Sequence, residues 1–150
     1  FSPDGDYAKD KQVPEVALLD LQQGKYINII SPATSIQSMS WSPDGIRLAV
    51  VGASDFDIYD THSGQHLVHQ GLPGASHTSI RYSPDGKYLV ISGFNGFAGP
   101  GRGIDSQIWD GRGKELLQKI NDQAAGIAIS RDSHYLAIAK RGRIEIWQFK

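Results

Sequence analysis

Cysteine is missing from all 150 residues, so neither a disulfide framework nor a thiolate metal centre is available, whichever compartment the chain occupies. The sequence also lacks any apolar run near the roughly 20 residues that cross a bilayer as a helix. Its opening, Phe-Ser-Pro-Asp-Gly-Asp, has neither the basic nor the apolar part of a signal peptide. No membrane partner is expected, and the lack of a visible signal peptide favours a cytoplasmic setting. The first residue is Phe and not Met, which we read as a cut.

Excess charge of one sign is lacking too. Fifteen Lys and Arg stand against 16 Asp and Glu, a net charge of −1, so a nucleic-acid partner is not expected. The balance is uneven along the chain, with nine acidic and four basic residues over 1–60 but eight basic and four acidic over 111–150. We read that polarity as solvated surface charge. What remains, 39% hydrophobic and 21% charged residues, suits a globular domain with a core.

The sequence does contain a repeat. FSPDG opens the chain, WSPDG occupies 41–45, YSPDG occupies 82–86, and a degenerate ISRDS occupies 129–133. A second apolar anchor follows each, at Leu19, Tyr59, Trp109 and Trp147, and the anchor-to-anchor intervals are 18, 18, 27 and 18 residues. Three copies therefore agree to the residue and the third carries a nine-residue insertion. Spacing of about 40 to 45 residues is that of propeller blades. Ser-Pro-Asp-Gly also has a mechanism: Pro presets φ in a type I turn, Asp bonds back to the local backbone, and Gly accepts the left-handed conformation that closes a hairpin. In the fourth copy Arg131 replaces Pro and Ser133 replaces Gly, and a left-handed Ser133 would cost about 1 kcal/mol.

After each reverser comes a short run that is apolar on both faces: Leu48-Ala49-Val50-Val51, Tyr88-Leu89-Val90-Ile91 and Tyr135-Leu136-Ala137-Ile138. Such runs suit strands covered on both sides by neighbouring layers. A second strand ending in an aromatic follows, then a Gly-bearing turn at 22–25, 62–65 and 111–114, then a strand leading to the next anchor. The first repeat fits poorly, because residues 6–11 are too polar for a strand with two covered faces.

This pattern of aromatic-SPDG, small-residue strand, IYD or IWD, then GQ or GK resembles the blades of WD-repeat β-propellers, including divergent WD-like and TolB-like ones, over nearly the whole chain. The resemblance implies an all-β fold, a β-propeller segment of about three and a half four-stranded antiparallel blades, at approximately 1–33, 34–73, 74–121 and 122–150, with about 14 strands. The Gly-His pair that the family places before the innermost strand is missing, so its buried His-to-Asp network is not assigned. A last blade that stops at its third strand implies the C-terminal part of a larger propeller. ISGFNG leading to QIWD is similar, over this one repeat, to a blade of the propellers of eukaryotic translation initiation factors, and no function is carried across on it.

Chemistry is sparse. The insertion, GFNGFAGPGRGID at 93–105, is a candidate recognition loop with Phe94, Phe97 and Arg102 as contacts and Asn95 as a hydrogen-bonding group. It is not a phosphate loop, since no Lys-Ser/Thr and no helix follow. Of the histidines at 62, 66, 69 and 77, His66 and His69 lie three apart in a strand register that points them to opposite faces, so no metal site is expected. Asp55 and Asp57 read as a turn acid and an exposed strand residue, without the further oxygen ligands that calcium needs. No G-x-S-x-G elbow occurs, no catalytic residue and no cofactor are assigned, and the chain is not expected to be an enzyme. Lys140-Arg141-Gly142-Arg143 reads as a solvated turn. The expected function is a non-catalytic protein-protein interaction scaffold binding a peptide or protein through blade loops, its open ends meeting the remainder of its own propeller or a second copy through exposed blade edges. The alternative is the propeller portion of a larger enzyme or TolB-like protein whose catalytic domain lies outside this chain.

Overall fold

The structure, a computed structural model, describes residues 15–30, 35–72, 77–93, 106–120, 124, 126–140 and 142–149. Among them are 13 strands and no helix: β1 (Val16–Asp20), β2 (Lys25–Ile30), β3 (Ser38–Trp41), β4 (Arg47–Val51), β5 (Asp55–Asp60), β6 (His66–Gly71), β7 (His77–Tyr82), β8 (Tyr88–Gly93), β9 (Ser106–Asp110), β10 (Leu116–Ile120), β11 (Gly126–Ile129), β12 (Tyr135–Lys140) and β13 (Arg143–Gln148). They form four antiparallel sheets, β1-β2, β3-β4-β5-β6, β7-β8-β9-β10 and β11-β12-β13. The architecture is an all-β propeller segment. The polar stretch 6–11 lies outside the described residues.

Packing follows from the two-faced strands. In β4, Leu48 and Val50 join Val16, Leu18, Ile30 and Tyr59 in one core, whereas Ala49 and Val51 join Phe56, Ile58, Ile80, Leu89, Ile91 and Trp109 in the next. In β8, Leu89 and Ile91 belong to that second core and Val90 to a third, with Ile108, Leu136 and Ile138. β4 and β8 are thus sandwiched between adjacent sheets, as their unbroken apolar runs predict, whereas β12 buries only Leu136 and Ile138 and leaves Tyr135 exposed, because among the described residues no sheet lies against its other face. A fully buried aliphatic side chain contributes about 1.5–3 kcal/mol by leaving water. The middle core also holds an edge-to-face aromatic pair, Phe56 and Trp109, with centroids 5.2 Å apart and planes at 71°.

The inner turns repeat one hydrogen-bond network. In the described copies the first Ser is the hub: the hydroxyls of Ser42, Ser83 and Ser130 donate to Asp44, Asp85 and Asp132 at 2.5, 2.6 and 2.6 Å. The same hydroxyls accept the backbone N–H of Arg47, Tyr88 and Tyr135 at 2.9, 2.9 and 2.8 Å. Each Asp in turn accepts the N–H two residues on. The turn-closing Gly45 and Gly86 are left-handed, and so is Ser133, at φ 61°. Ser133 has a compensation that the degenerate spelling does not show. Its hydroxyl accepts the Asp85 N–H at 3.0 Å, tying the last inner turn to the one before it, a bond whose net value of about 1 kcal/mol offsets the backbone cost.

The outer turns are nested as well. Asp20, Asp60 and Asp110 accept backbone N–H groups of the turns that follow them. Gly113, at φ 69°, closes the third such turn, and a Cβ there would sit 2.6 Å from Ile58 Cδ1 and 2.9 Å from Phe56 Cε2. Both the backbone conformation and the close approach therefore require glycine.

Two outcomes are expected. Gly113→Ala should lower stability in denaturant melts by about 2–4 kcal/mol, and a loss below about 0.5 kcal/mol would show that the turn has room. The turn carboxylates give a pH dependence. Asp44 and Asp132 are held below the ordinary carboxylate range chiefly by the Ser42 and Ser130 hydroxyls and then by the Ile46 and His134 N–H groups. For Asp85, slight burial pushes upward but is outweighed by the Ser83 hydroxyl and the Lys87 N–H. A value depressed by folding means that the contribution is complete above about pH 4 and is lost as pH falls through the folded values. Replacing all three by Asn should flatten the fall in stability between about pH 5 and about pH 2; an unchanged slope would refute the assignment.

Candidate functional site

Two features stand apart from the repeating scaffold: an uncovered apolar face at each end of the arc, and a polar cluster on the outer half of the β3–β6 sheet.

The face is defined by register. Ala49 pairs with Ile58, Val90 with Ile108, and Ala137 with Ile146, so these three pairs occupy the same row of successive sheets. The first two rows are buried against the next sheet. The third is not: Ile146 is 73% exposed, and Ala128, Ile129, Ser130, Tyr135, Ala137 and Ile146 line an open hollow of about 430 Å³. At the other end, Leu19 and Tyr26 pair directly in the row that Tyr59 with His66 and Trp109 with Leu116 occupy in later sheets. Leu19 and Tyr26 are exposed.

The cluster depends on a bulge. In β6, His66 pairs with Tyr59 and Val68 with Ile58, leaving Leu67 as the extra residue. A bulge of this kind reverses the side-chain alternation beyond it. His66 and His69 therefore share a face, which corrects the expectation that they point apart. Both meet Asp57 of β5: His66 Nε2 and His69 Nδ1 donate to the same carboxylate oxygen, Oδ1, at 2.8 and 2.9 Å. Asp57 is 1% exposed, not the exposed strand residue that its spelling suggests, while the two histidines are half-exposed. The second carboxylate oxygen is buried and has no hydrogen-bond partner among the described residues. Next to it, burial first and the Asp57 charge second push the Tyr59 phenol up to about 12, so that ring stays neutral across the physiological range.

A repeated position explains why Asp57 is available. The residue two before the third-strand aromatic is Asp57, Gln107 or Glu145. Gln107 and Glu145 accept the indole N–H of Trp109 and Trp147 at 3.0 and 3.3 Å. Tyr59 has no indole N–H to offer, and the Asp57 oxygen takes the histidines instead.

Other expected features fall as follows. Phe94, Asn95, Phe97 and Arg102 lie outside the described residues. His62 sits exposed in the outer turn, where its N–H donates to Asp60, so it is not gathered with His66 and His69; the His77 side chain is outside the described set. Asp55 starts β5 half-buried and is not part of the cluster. Lys140 and Arg143 both reach Glu145, which holds the Glu145 carboxyl below its ordinary range, Lys140 being the largest cause. The basic turn is therefore paired with an acid and is not simply solvated.

Comparison with known proteins places the chain in a family. The family model described as "Eukaryotic translation initiation factor eIF2A" matches residues 10–149, nearly the whole chain, and the chain belongs to that family. No curated protein matches it significantly.

A double-mutant cycle tests the cluster. Asp57→Ala and His69→Ala should show a coupling of about 1 kcal/mol in urea melts, and additive losses would show that the hydrogen bond contributes nothing.

Proposed function

Taking membership of the eukaryotic translation initiation factor eIF2A family as the premise, we propose that the chain is a non-catalytic protein-protein interaction scaffold serving translation initiation. The observation that carries this reading is the uncovered pair Ala137 and Ile146, whose counterparts one and two sheets earlier, Val90 with Ile108 and Ala49 with Ile58, are buried against a neighbouring sheet. A 73% exposed Ile at a position otherwise reserved for a sheet-to-sheet contact is a surface built to be covered. Its occupant in this proposal is a further blade of the same propeller, because the row repeats the blade-to-blade positions and not a new pattern. Peptide or protein partners then meet the insertion loop, with Phe94, Asn95, Phe97 and Arg102 as contacts. The scaffold role needs no reaction within these residues, and in this reading the chain is not an enzyme.

Two measurements test the proposal. In the complete natural chain, Ile146→Lys should cost at least about 2 kcal/mol if a blade covers the face and less than about 0.5 kcal/mol if it stays in water. Affinity capture from a translation extract should recover initiation components, and replacing residues 94–102 by a short Gly-Ser link should deplete them. Recovery no better than an unrelated propeller would sink the scaffold reading; unchanged recovery after the replacement would end the role of the loop.

A further inference from the structure

We propose that Asp57, His66 and His69 form a binding site for a divalent transition-metal cation of the zinc class. Three observations carry it. The ligand atoms, one carboxylate oxygen and two imidazole nitrogens on adjacent strands, all lie within 4.8 Å of one another. Both imidazole nitrogens already aim at the same oxygen, at 2.8 and 2.9 Å, so the three donor groups face one small space, and a cation there replaces the two N–H protons. The other oxygen of Asp57 is buried without a partner among the described residues, a cost of about 1–3 kcal/mol that a bound cation offsets by neutralising the carboxylate.

The donor set selects the metal. Two imidazoles and one carboxylate suit zinc and its neighbours, and exclude the all-oxygen preference of calcium and magnesium. Zinc bonds of about 2.0–2.2 Å in a tetrahedral arrangement need ligand atoms about 3.3–3.5 Å apart, so each histidine nitrogen must draw back from Oδ1 by about half an ångström, and the two nitrogens, within 4.8 Å of each other, must settle at the same spacing. The half-exposed rings have that freedom, whereas Asp57 is fixed in β5 by sheet pairing on both sides. On metal binding each imidazole carries its proton on the nitrogen that faces away from Asp57. Three protein ligands and a solvent-facing side leave a fourth position for water. The bulge at Leu67 is the architectural requirement, since unbroken alternation would place one histidine on the far face.

Titration of ZnCl2 into the chelator-treated protein by calorimetry is the test. One-to-one binding with a micromolar or tighter Kd is expected, with a rise in Tm of about 5 °C at zinc about 100-fold above Kd. His66→Ala with His69→Ala should weaken it at least 100-fold and Asp57→Asn at least tenfold, while His62→Gln with His134→Gln should leave it unchanged. No saturable binding at about 1 mM zinc, or equal binding in the His66/His69 variant, would overturn the site. Should that variant not fold, the imidazole 15N shifts of the unaltered protein decide the matter. Zinc-induced shifts confined to His66 and His69 support the proposal, and shifts at other histidines overturn it.

Discussion

The two four-stranded blades depend on their neighbours because their second strands, β4 and β8, are buried on both faces. Leu48 and Val50 face one core while Ala49 and Val51 face the next, so no sheet can satisfy its apolar residues alone. That constraint explains the order of the remaining features. The third strand, which pairs with the second, must place Ile58 or Ile108 toward one neighbour and Tyr59 or Trp109 toward the other. Inner and outer turns must then be tight enough for adjacent sheets to approach, which is why Gly86 lies against Pro43 and Gly113 against Phe56 and Ile58.

The fourth strand escapes the constraint, and the polar chemistry sits there. Ile27, Leu67 and Leu117 are the extra residues of bulges opposite Leu19, Tyr59 and Trp109, and all three are exposed. A bulge repeated at the same place in three outer strands is part of the blade design. Its effect is chemical in one blade only, where the residues on either side of Leu67 include two histidines above a buried aspartate.

How much of this was legible depended on the range of the interactions involved. Turn chemistry acts over four or five residues, and the spelling Ser-Pro-Asp-Gly was enough to locate the hairpins and, by their spacing, the blades. Two-faced burial was legible because an unbroken Leu-Ala-Val-Val run has no other comfortable setting in a sheet. The histidine pair was misread because strict alternation was assumed through a strand whose register shifts. A usable signal exists in the chain: Tyr26-Ile27, His66-Leu67 and Leu116-Leu117 stand two to four residues after the outer-turn glycines Gly24, Gly64 and Gly113, and comparison of the three exposes the extra residue. Ser133 was read as a defect because its benefit, the bond to Asp85, lies 48 residues away.

The nearest-neighbour packing also governs how the molecule comes apart. Each core joins only consecutive sheets, so cohesion is distributed along a line and resembles a one-dimensional chain of coupled units. The middle core, with Phe56 against Trp109, has an intact four-stranded sheet on either side, whereas the outer two each end on a sheet with one face in water. Hydrogen exchange should therefore be slowest in β4, β5, β8 and β9 and should quicken toward β1 and β13, a gradient of local opening that runs outward from the centre of the arc.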